Sequence, residues 1–477
     1  MTKRATRDAT KNPERRSDEA EAVEAALRRT FTAAVVDELR QQTGYNPRQR
    51  LITAQRLMLV VVEAFLMGQT LGFSAIRAIF VRRFGFIRPC PFQKRFKQSG
   101  AAAFFRAALE RLVASVVNSA GLCLSGPLAQ FGDVRVYDGT GQRVPPRGRK
   151  ALPGCTKGKA GSKWVAGYSI KTGLLEHAEC GAETASETPL WRKLVPSFTR
   201  GALYLFDLGF FERNLFAAAQ DAGAHVLMRL KKTAKVRVIG HVVDRSIGTI
   251  PGWSLGYYLG AVSRRCGTVF DLDVVWGKGK HAIGLRLVGI AHTSRNIRWY
   301  LTTVPRSQLS ARQIIQAYRL RWLVELLFRE IKQAADLGRS FTADAHAIQA
   351  MTYGAMLAHV LVRSLRIQAA LDNEIPLEQL RPLACLHVAR AFARDIIDAL
   401  AASTCCAWIR VSQAVGLALA RLAREFKPSR SRPRIALNLG PSVLKRSGMP
   451  CSLTPCQRIC EAPATRHRST RCASEQT

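Results

Sequence analysis

Two aspartates stand where two predicted strands end. Asp138 closes the alternating segment that begins at Val134, and Asp207 directly follows the continuous apolar segment 202–206. An acidic residue at the carboxyl end of a buried strand lies at the mouth of the sheet, where α/β proteins place ligands. Each aspartate is also explained as a turn residue, since Asp favours turns and a glycine follows closely in both segments. Neither aspartate alone therefore predicts a site.

A third acidic residue, Glu325, lies in a predicted helix that begins after Ser310 and extends to Leu337. With about 100° between successive helical residues, four polar side chains fall within roughly a 60° arc: Tyr318, Arg321, Glu325 and Lys332. The opposite face is apolar: Leu320, Leu323, Leu327, Ile331 and Ala334. An exposed helix with ordinary charge pairs would show the same polar face, although it would not account for the tyrosine.

Three carboxylates from two strand ends and one helix indicate a more specific chemistry when they are taken together. Asp138, Asp207 and Glu325 would supply hard oxygen ligands of the kind that Mg²⁺ or Mn²⁺ prefers. Two such ions close together activate a water or a 3′ hydroxyl and stabilise the leaving oxygen in phosphodiester displacement. Arg321 and Lys332 would stand beside them as partners for phosphate. We therefore predict metal-dependent chemistry on a nucleic acid.

The charge of the chain points to the same class of partner. Its 477 residues contain 72 Lys and Arg against 34 Asp and Glu, a formal net charge of +38. Such a surface attracts polyanions, of which nucleic acid is the commonest soluble one. The first 18 residues lack the apolar segment of a secretory signal, and the longest apolar runs contain Glu63 and His359. We therefore expect a cytoplasmic protein that is associated with the nucleoid when bound to DNA and has no membrane partner.

Twelve cysteines are scattered through the chain, most of them inside apolar segments. Without an export signal we expect them to be reduced, buried thiols. The one candidate zinc cluster is Cys451, Cys456, Cys460 and Cys472. It lacks a paired CxxC spacing and lies in a weakly patterned tail, so we predict no zinc site there.

The hydrophobic periodicity divides the chain into helical and strand-rich parts, which predicts an α/β protein with a mixed central sheet. The predicted segments are a disordered basic arm (1–16), a helical domain (17–128), the first part of the core (129–230), a β-rich insertion (231–304), a core helix (305–340), C-terminal helices (341–426) and a disordered basic tail (427–477).

The break at 68–72 between two predicted helices permits two interpretations of the N-terminal region. A helix-turn-helix would place Arg77, Arg82, Arg83 and Lys94 toward DNA. An ordinary helical bundle with a solvated basic face explains the same pattern. The sequence leaves both open.

The helix pattern resembles a known family, the DDE transposases of bacterial insertion sequences, of the insertion-sequence-four type. Their hallmark is Tyr, two residues, Arg, three residues, Glu, six residues, Lys, which matches Tyr318, Arg321, Glu325 and Lys332. The Asp-Gly-Thr context of Asp138 and the Asp-x-Gly-Phe-Phe context of Asp207 fit as well. The resemblance covers residues 130–365 and leaves room for the β insertion of the family between the second and third carboxylates.

The resemblance implies a ribonuclease-H-like catalytic domain in which Asp138, Asp207 and Glu325 bind two Mg²⁺ ions, or Mn²⁺ in their place. Tyr318, Arg321 and Lys332 would contact DNA near the cut end. Trp299 occupies the place of a family tryptophan that stacks a flipped base, although a buried strand aromatic explains it equally well. The implied partners are the terminal inverted repeats and the target DNA, bound by a homodimer whose N-terminal helices recognise the ends.

The function implied is cut-and-paste transposition, and two other functions remain compatible with these residues. A nuclease on the same fold would share the carboxylates but would not join strands. A catalytically inactive or domesticated DNA-binding protein would retain the basic surface without chemistry.

Overall fold

The computed structural model describes residues 18–425 with short gaps, and also residues 444–446. The gaps are 47–49, 69–71, 121, 188–190, 196–197, 244–245, 263–264, 294–295, 336 and 403. The predictions for the basic arm 1–16 and for the cysteines at 451, 456, 460 and 472 lie outside the described residues. Of the predicted disordered tail 427–477, the described part is a short strand at Leu444–Arg446.

The chain begins with helices: α1 Asp18–Thr30, α2 Ala33–Gln42, α3 Ala54–Met67, α4 Phe73–Phe84, α5 Pro89–Phe96 and α6 Ser99–Ser119. Helix α3 is buried over most of its length, because its sequence is apolar on every side. Thr53 caps its start by accepting a hydrogen bond from the Arg56 amide, and Gly68 ends it in the left-handed conformation.

A short strand, β1 Leu122–Leu124, precedes the mixed sheet and is not part of it. The mixed sheet begins with β2 Val134–Val144, β3 Ala160–Ser169, β4 Leu175–Ala182, β5 Leu203–Phe206 and β6 His225–Arg229, with α7 Trp191–Leu194 and α8 Arg213–Asp221 between the later strands. β2, β3 and β4 are antiparallel neighbours, whereas β5 and β6 run parallel to β2. The order β4-β3-β2-β5-β6 is the mixed sheet expected for a ribonuclease-H-like domain, so the predicted fold class is confirmed.

The insertion consists of β7 Val236–Val243, β8 Ser246–Ser254, α9 Leu255–Ala261, β9 Val269–Trp276, β10 Ile283–Ala291 and β11 Ile297–Thr302. We predicted an inserted β subdomain, and the structure shows how it joins the core. β11 pairs antiparallel with β6, so the insertion continues the core sheet to ten strands. The physical reason is the free edge of β6, whose unpaired amides and carbonyls find partners in β11.

The chain then returns to helices: α10 Ala311–Tyr318, α11 Trp322–Ala335, α12 Ala345–Asp372, α13 Pro382–Ala391, α14 Ala393–Ala402 and α15 Cys405–Glu425, followed by β12 Leu444–Arg446, which pairs with β1. The long helix α12 packs against α1, α3 and α6 as well as α15. The N-terminal helices, predicted as a domain of residues 17–128, and the C-terminal helices thus share one hydrophobic core, because α12 is buried on all sides.

The arginines of the predicted helix-turn-helix are engaged within this bundle. Arg82 and Arg83 both contact the buried carboxylate of Glu63, and Arg83 also reaches Asp398. Arg77 donates a hydrogen bond to the carbonyl of Ile87. Three of the four cations proposed to face DNA therefore bind protein groups, which favours the helical-bundle interpretation.

One helix in the described part of the chain reaches the length and hydropathy of a membrane span, the stretch Cys405–Ala423 of α15. Of this stretch, 33% is buried inside the protein. Core helices meet the same criteria, so this is weak support for a membrane span.

A buried charge network joins β2, β4 and β5 at the end of the sheet away from Asp138. The Arg135 guanidinium contacts Asp133 at 3.2 Å and Glu176 at 2.9 Å, and both acidic residues are less than a tenth exposed. It also donates to the hydroxyl of Tyr204 on β5 at 2.9 Å. This network joins β2 to its parallel neighbour β5 and, across β3, to β4.

We expect Arg135→Met to lower the free energy of unfolding by about 3–5 kcal/mol, because it leaves two buried carboxylates without their cation. Urea denaturation measures the change. The matched control is Arg192→Met, which breaks the exposed pair with Glu212 and should cost no more than about 1 kcal/mol. Equal destabilisation in the two variants would contradict a stabilising role for the network.

Candidate active site

The central strand β2 and its parallel neighbour β5 position the two aspartates. We predicted that β2 ends at Asp138, and this is wrong: the strand continues to Val144. It continues because β3 pairs with it along its whole length, whereas β5 pairs only as far as Tyr137 opposite Phe206. Asp138 therefore lies where the parallel neighbour stops, and Asp207 follows the last residue of β5, as predicted.

The helix that we predicted around Glu325 is divided in two. We predicted one helix from Ser310 to Leu337, but a 3₁₀ turn at Arg319–Arg321 separates α10 from α11. Ser310 caps the first helix in a capping box with Gln313. α11 is held on the sheet by an apolar face: Leu320, Val324, Leu327, Phe328 and Ile331. That packing aims the first turn of α11, with Glu325, at Asp138 within β2 and at the end of β5.

The Arg321 guanidinium contacts all three predicted carboxylates. Its distances are 2.6 Å to Asp138 Oδ2, 3.5 Å to Asp207 Oδ1 and 2.5 Å to Glu325 Oε1. The Asp138 side chain is 12% exposed, whereas those of Asp207 and Glu325 are 35% and 29% exposed. Burial, together with the charge of Asp207, raises the pKa of Asp138 to about 7. The structure thus brings the three acids together around one cation.

These side chains open into a cleft of about 500 Å³. Its lining is Asp138, Gly139, Thr140, Asp207, Arg321, Glu325, Phe328, Arg329, Lys332 and Gln333. Lys332 donates a hydrogen bond to the Thr140 hydroxyl, and burial lowers its pKa. Sequence reasoning missed Arg329 and Gln333, although Arg329 lies one helical turn after Glu325 on the same side of α11 and could have been found by that spacing.

Two other predicted residues do not line this cleft. Tyr318 is buried, with its hydroxyl 3.5 Å from the carbonyl oxygen of Phe206 and its ring beside Tyr300, and burial raises its pKa. Trp299 is half-buried on β11, where its ring covers the cross-strand residue Gly289 and tilts against Phe270. These contacts favour a packing role for Trp299 over the alternative of base stacking.

The three acids fit a divalent cation in donor chemistry and charge. Within the described residues no three His, Cys, Asp or Glu side chains form a ready metal site. The Arg321 guanidinium accounts for this, because it lies among Asp138, Asp207 and Glu325 as a cation that stands in for a metal. Carboxylate oxygens are the ligands that Mg²⁺ and Mn²⁺ prefer, so these three residues could hold such an ion once the guanidinium withdraws.

A fourth carboxylate, Glu187, lies behind the two aspartates and was not predicted. A side chain at Gly139 would meet Glu187 Oε1 at 2.7 Å, and one at Gly209 would meet Oε2 at 2.0 Å. Glu187 also pairs with Lys163 on β3 at 3.1 Å. Because alternate strand residues face opposite sides of a sheet, Gly139 lies on the face opposite Asp138. Glycine at both positions therefore lets Glu187 contact the two backbone segments that carry the aspartates.

We expect Gly209→Ala to displace the Glu187 carboxylate from Lys163, and so to destabilise the protein much less in a Glu187→Ala background. A double-mutant cycle by urea denaturation should give a coupling free energy of about 0.5–3 kcal/mol, the range for residues in contact. Additive effects of the two substitutions would mean that the alanine is accommodated without moving Glu187.

Comparison with known proteins supports the interpretation of this site. The family described as Transposase DDE domain matches residues 129–361, which include all three acids and Arg321. The transposase of insertion sequence element IS231C from Bacillus thuringiensis subsp. berliner is 20% identical over 380 residues, covering 72% of this chain and 79% of that protein. The transposase of element IS231F from Bacillus thuringiensis subsp. israelensis is 22% identical over 277 residues, covering 50% of this chain and 57% of that protein.

A solved structure, that of the piggyBac transposase in its synaptic complex with hairpin DNA, is similar with a TM-score of 0.42 and 11% identity, covering 87% of this chain and 84% of that chain.

The family match spans the sheet strands β2 to β6, the insertion and the helix that carries Glu325. It therefore contains every side chain of the candidate site. Residues 129–361 of this chain thus match the DDE domain of transposases.

Proposed function

We propose that this transposase binds the terminal inverted repeats of its insertion sequence, cleaves them by metal-dependent phosphodiester hydrolysis and joins the freed 3′ ends to target DNA. The observation that carries the proposal is the convergence of Asp138, Asp207 and Glu325 on the single Arg321 guanidinium in an open cleft. Three negative charges in one place require cations, and two Mg²⁺ or Mn²⁺ ions satisfy that requirement.

The acids Asp138, Asp207 and Glu325 would hold the ions. When bound, the ions supply Lewis acid chemistry that activates a water or a 3′ hydroxyl and stabilises the leaving oxygen. The cations of the cleft would neutralise phosphate: Arg321 by its two-pronged guanidinium, and Lys332 and Arg329 as charges beside it. The Thr140 hydroxyl orients Lys332 at the floor of the cleft.

Arg321 has two alternative anionic partners in this mechanism. Without metal its guanidinium neutralises the three carboxylates. With metal ions held by the three acids, the guanidinium would be free to contact a DNA phosphate, which it matches with two parallel hydrogen bonds. Positive charge is thereby kept near the acids in both states. The proposal also includes a homodimer as the DNA-bound form.

We expect Glu325→Gln to lower the cleavage rate by a factor on the order of 10²–10³, the usual effect of removing one preorganised electrostatic group. The substrate is DNA carrying the repeats that flank the gene, incubated with Mg²⁺ or Mn²⁺. The control is Glu38→Gln, on the exposed surface of α2, which should cleave like the unmodified protein. Cleavage at the repeat boundary that needs metal and is abolished only in Glu325→Gln supports the proposal.

The products distinguish the other functions. A nuclease on this fold would cut the repeats without giving strand-transfer products. A DNA-binding protein derived from a transposase would bind the repeats, and neither it nor its Glu325→Gln variant would cut them. Either result, with protein of native circular dichroism, would overturn the proposal.

We expect Arg321→Met to bind Mn²⁺ roughly 10-fold more tightly in the absence of DNA, because no guanidinium competes for the carboxylates; this corresponds to about 1.4 kcal/mol. Cleavage should nevertheless fall, since residue 321 can no longer bind the phosphate. Electron paramagnetic resonance titration measures free Mn²⁺ directly. Arg329→Met is the matched control. Arg329 lines the same cleft but packs against Trp322, so in this variant the Arg321 guanidinium still contacts the three acids. Unchanged or weaker Mn²⁺ binding by Arg321→Met would contradict the competition.

A further inference from the structure

A strongly basic loop connects β2 to β3. Residues 143–159, here called the basic loop, contain no Asp or Glu. Its cations are Arg143, Arg147, Arg149, Lys150, Lys157 and Lys159. All six side chains are exposed, and within the described residues none of them has an ion-pair or hydrogen-bond partner. This differs from the bundle, where Arg82 and Arg83 are neutralised by Glu63.

The basic loop is held in a defined conformation by apolar and backbone contacts. Val144, Leu152 and Ala160 form a small core with Ile348 of α12. The carboxylate of Glu183, which follows β4, accepts a hydrogen bond from the Cys155 amide at 3.2 Å. Leu152 accepts a backbone hydrogen bond from Gly161 at 3.1 Å, which closes the hairpin. Because the backbone is already ordered, binding a ligand would cost little conformational entropy.

The basic loop extends the strand that carries Asp138. Arg143 follows Asp138 by five residues on β2, which at about 3.3 Å per residue places its backbone about 17 Å from the site. The end of β2 is also tied to the chain that leaves α11: Arg143 donates to Gly338, and Ser340 donates back to Arg143. A duplex that enters the cleft along β2 would reach the start of the basic loop after about five base pairs, since each base pair rises about 3.4 Å.

We propose that the basic loop binds phosphates of a DNA duplex about five base pairs from the phosphodiester in the cleft. This inference rests on the proposed function and adds to it a second contact surface, outside the catalytic residues. Six exposed cations on an ordered backbone are complementary to the regular array of duplex phosphates and to no particular base sequence. The contact therefore contributes affinity and alignment without sequence preference.

The first test compares the salt dependence of DNA binding in two triple variants. Neutralising the loop in Arg147→Gln/Arg149→Gln/Lys150→Gln should reduce the slope of log affinity against log salt by about 0.9 for each phosphate that the loop no longer binds. The control, Arg394→Gln/Arg410→Gln/Arg421→Gln, removes as many exposed cations from α14 and α15 and should retain the slope of the unmodified protein. Equal slopes in all three proteins, at unchanged melting temperature, would overturn the inference.

The second test uses Cys155, an exposed free thiol within the basic loop. DNA with a disulfide-activated tether placed at successive positions should cross-link Cys155 most strongly about five base pairs from the cut site, with peptide mapping to identify the adduct. Exposed Cys90 and Cys266 serve as internal comparisons. No adduct at Cys155 on any bound DNA, although the thiol reacts with a small disulfide, would overturn the inference. Metal-dependent cleavage is scored separately, so that its absence would count against the proposed function and not against the loop.

Discussion

The repulsion among three carboxylates is the constraint on which the rest of the candidate active site depends. Asp138, Asp207 and Glu325 can lie together only when a cation lies among them, and here that cation is the Arg321 guanidinium. The raised pKa of Asp138, caused by burial and by the charge of Asp207, expresses the same cost. Three carboxylates this close together need a positive charge among them. Arg321 supplies it in this structure, and metal ions could supply it in a metal-bound state.

The fold holds these like charges together by apolar packing and by neutral backbone contacts. The buried face of α11 fixes Glu325 and Arg321 over the sheet, and Trp164 of β3 meets Phe328 edge to face. The stacked rings of Tyr137 and Phe206 join β2 to β5 just before the two aspartates. Hydrophobic burial is worth roughly 1.5–3 kcal/mol for each such side chain, so several of them together can offset the electrostatic cost.

The cationic side chains of the chain thus fall into two groups, those paired inside the protein and those exposed on its surface. Inside the protein, arginines are paired, as Arg135 is with Asp133 and Glu176, because an isolated buried charge is costly. On the loop between β2 and β3 the cations are exposed and are not neutralised by other described residues, and the loop has an ordered backbone that continues the strand carrying Asp138. The net charge alone does not separate these two uses, whereas the contacts do.

The sequence by itself located the three acids that the structure brings together, the helical face with Arg321 and Lys332, and the mixed α/β class, because each follows from local spacing and periodicity. It also showed the resemblance to a transposase family, which rests on the motif of that helix. Only the tertiary structure decided the other features. β11 of the insertion pairs with the edge of β6, so the insertion and the core form one sheet. Pairing with β3 extends β2 beyond Asp138. Packing around α12 joins the N-terminal and C-terminal helices in one core. Tyr318 turned out to be buried, and Glu187 lies behind the aspartates, beside Gly139 and Gly209. These features depend on contacts between residues distant in sequence, and periodicity along one segment carries no information about which edge or face it will meet.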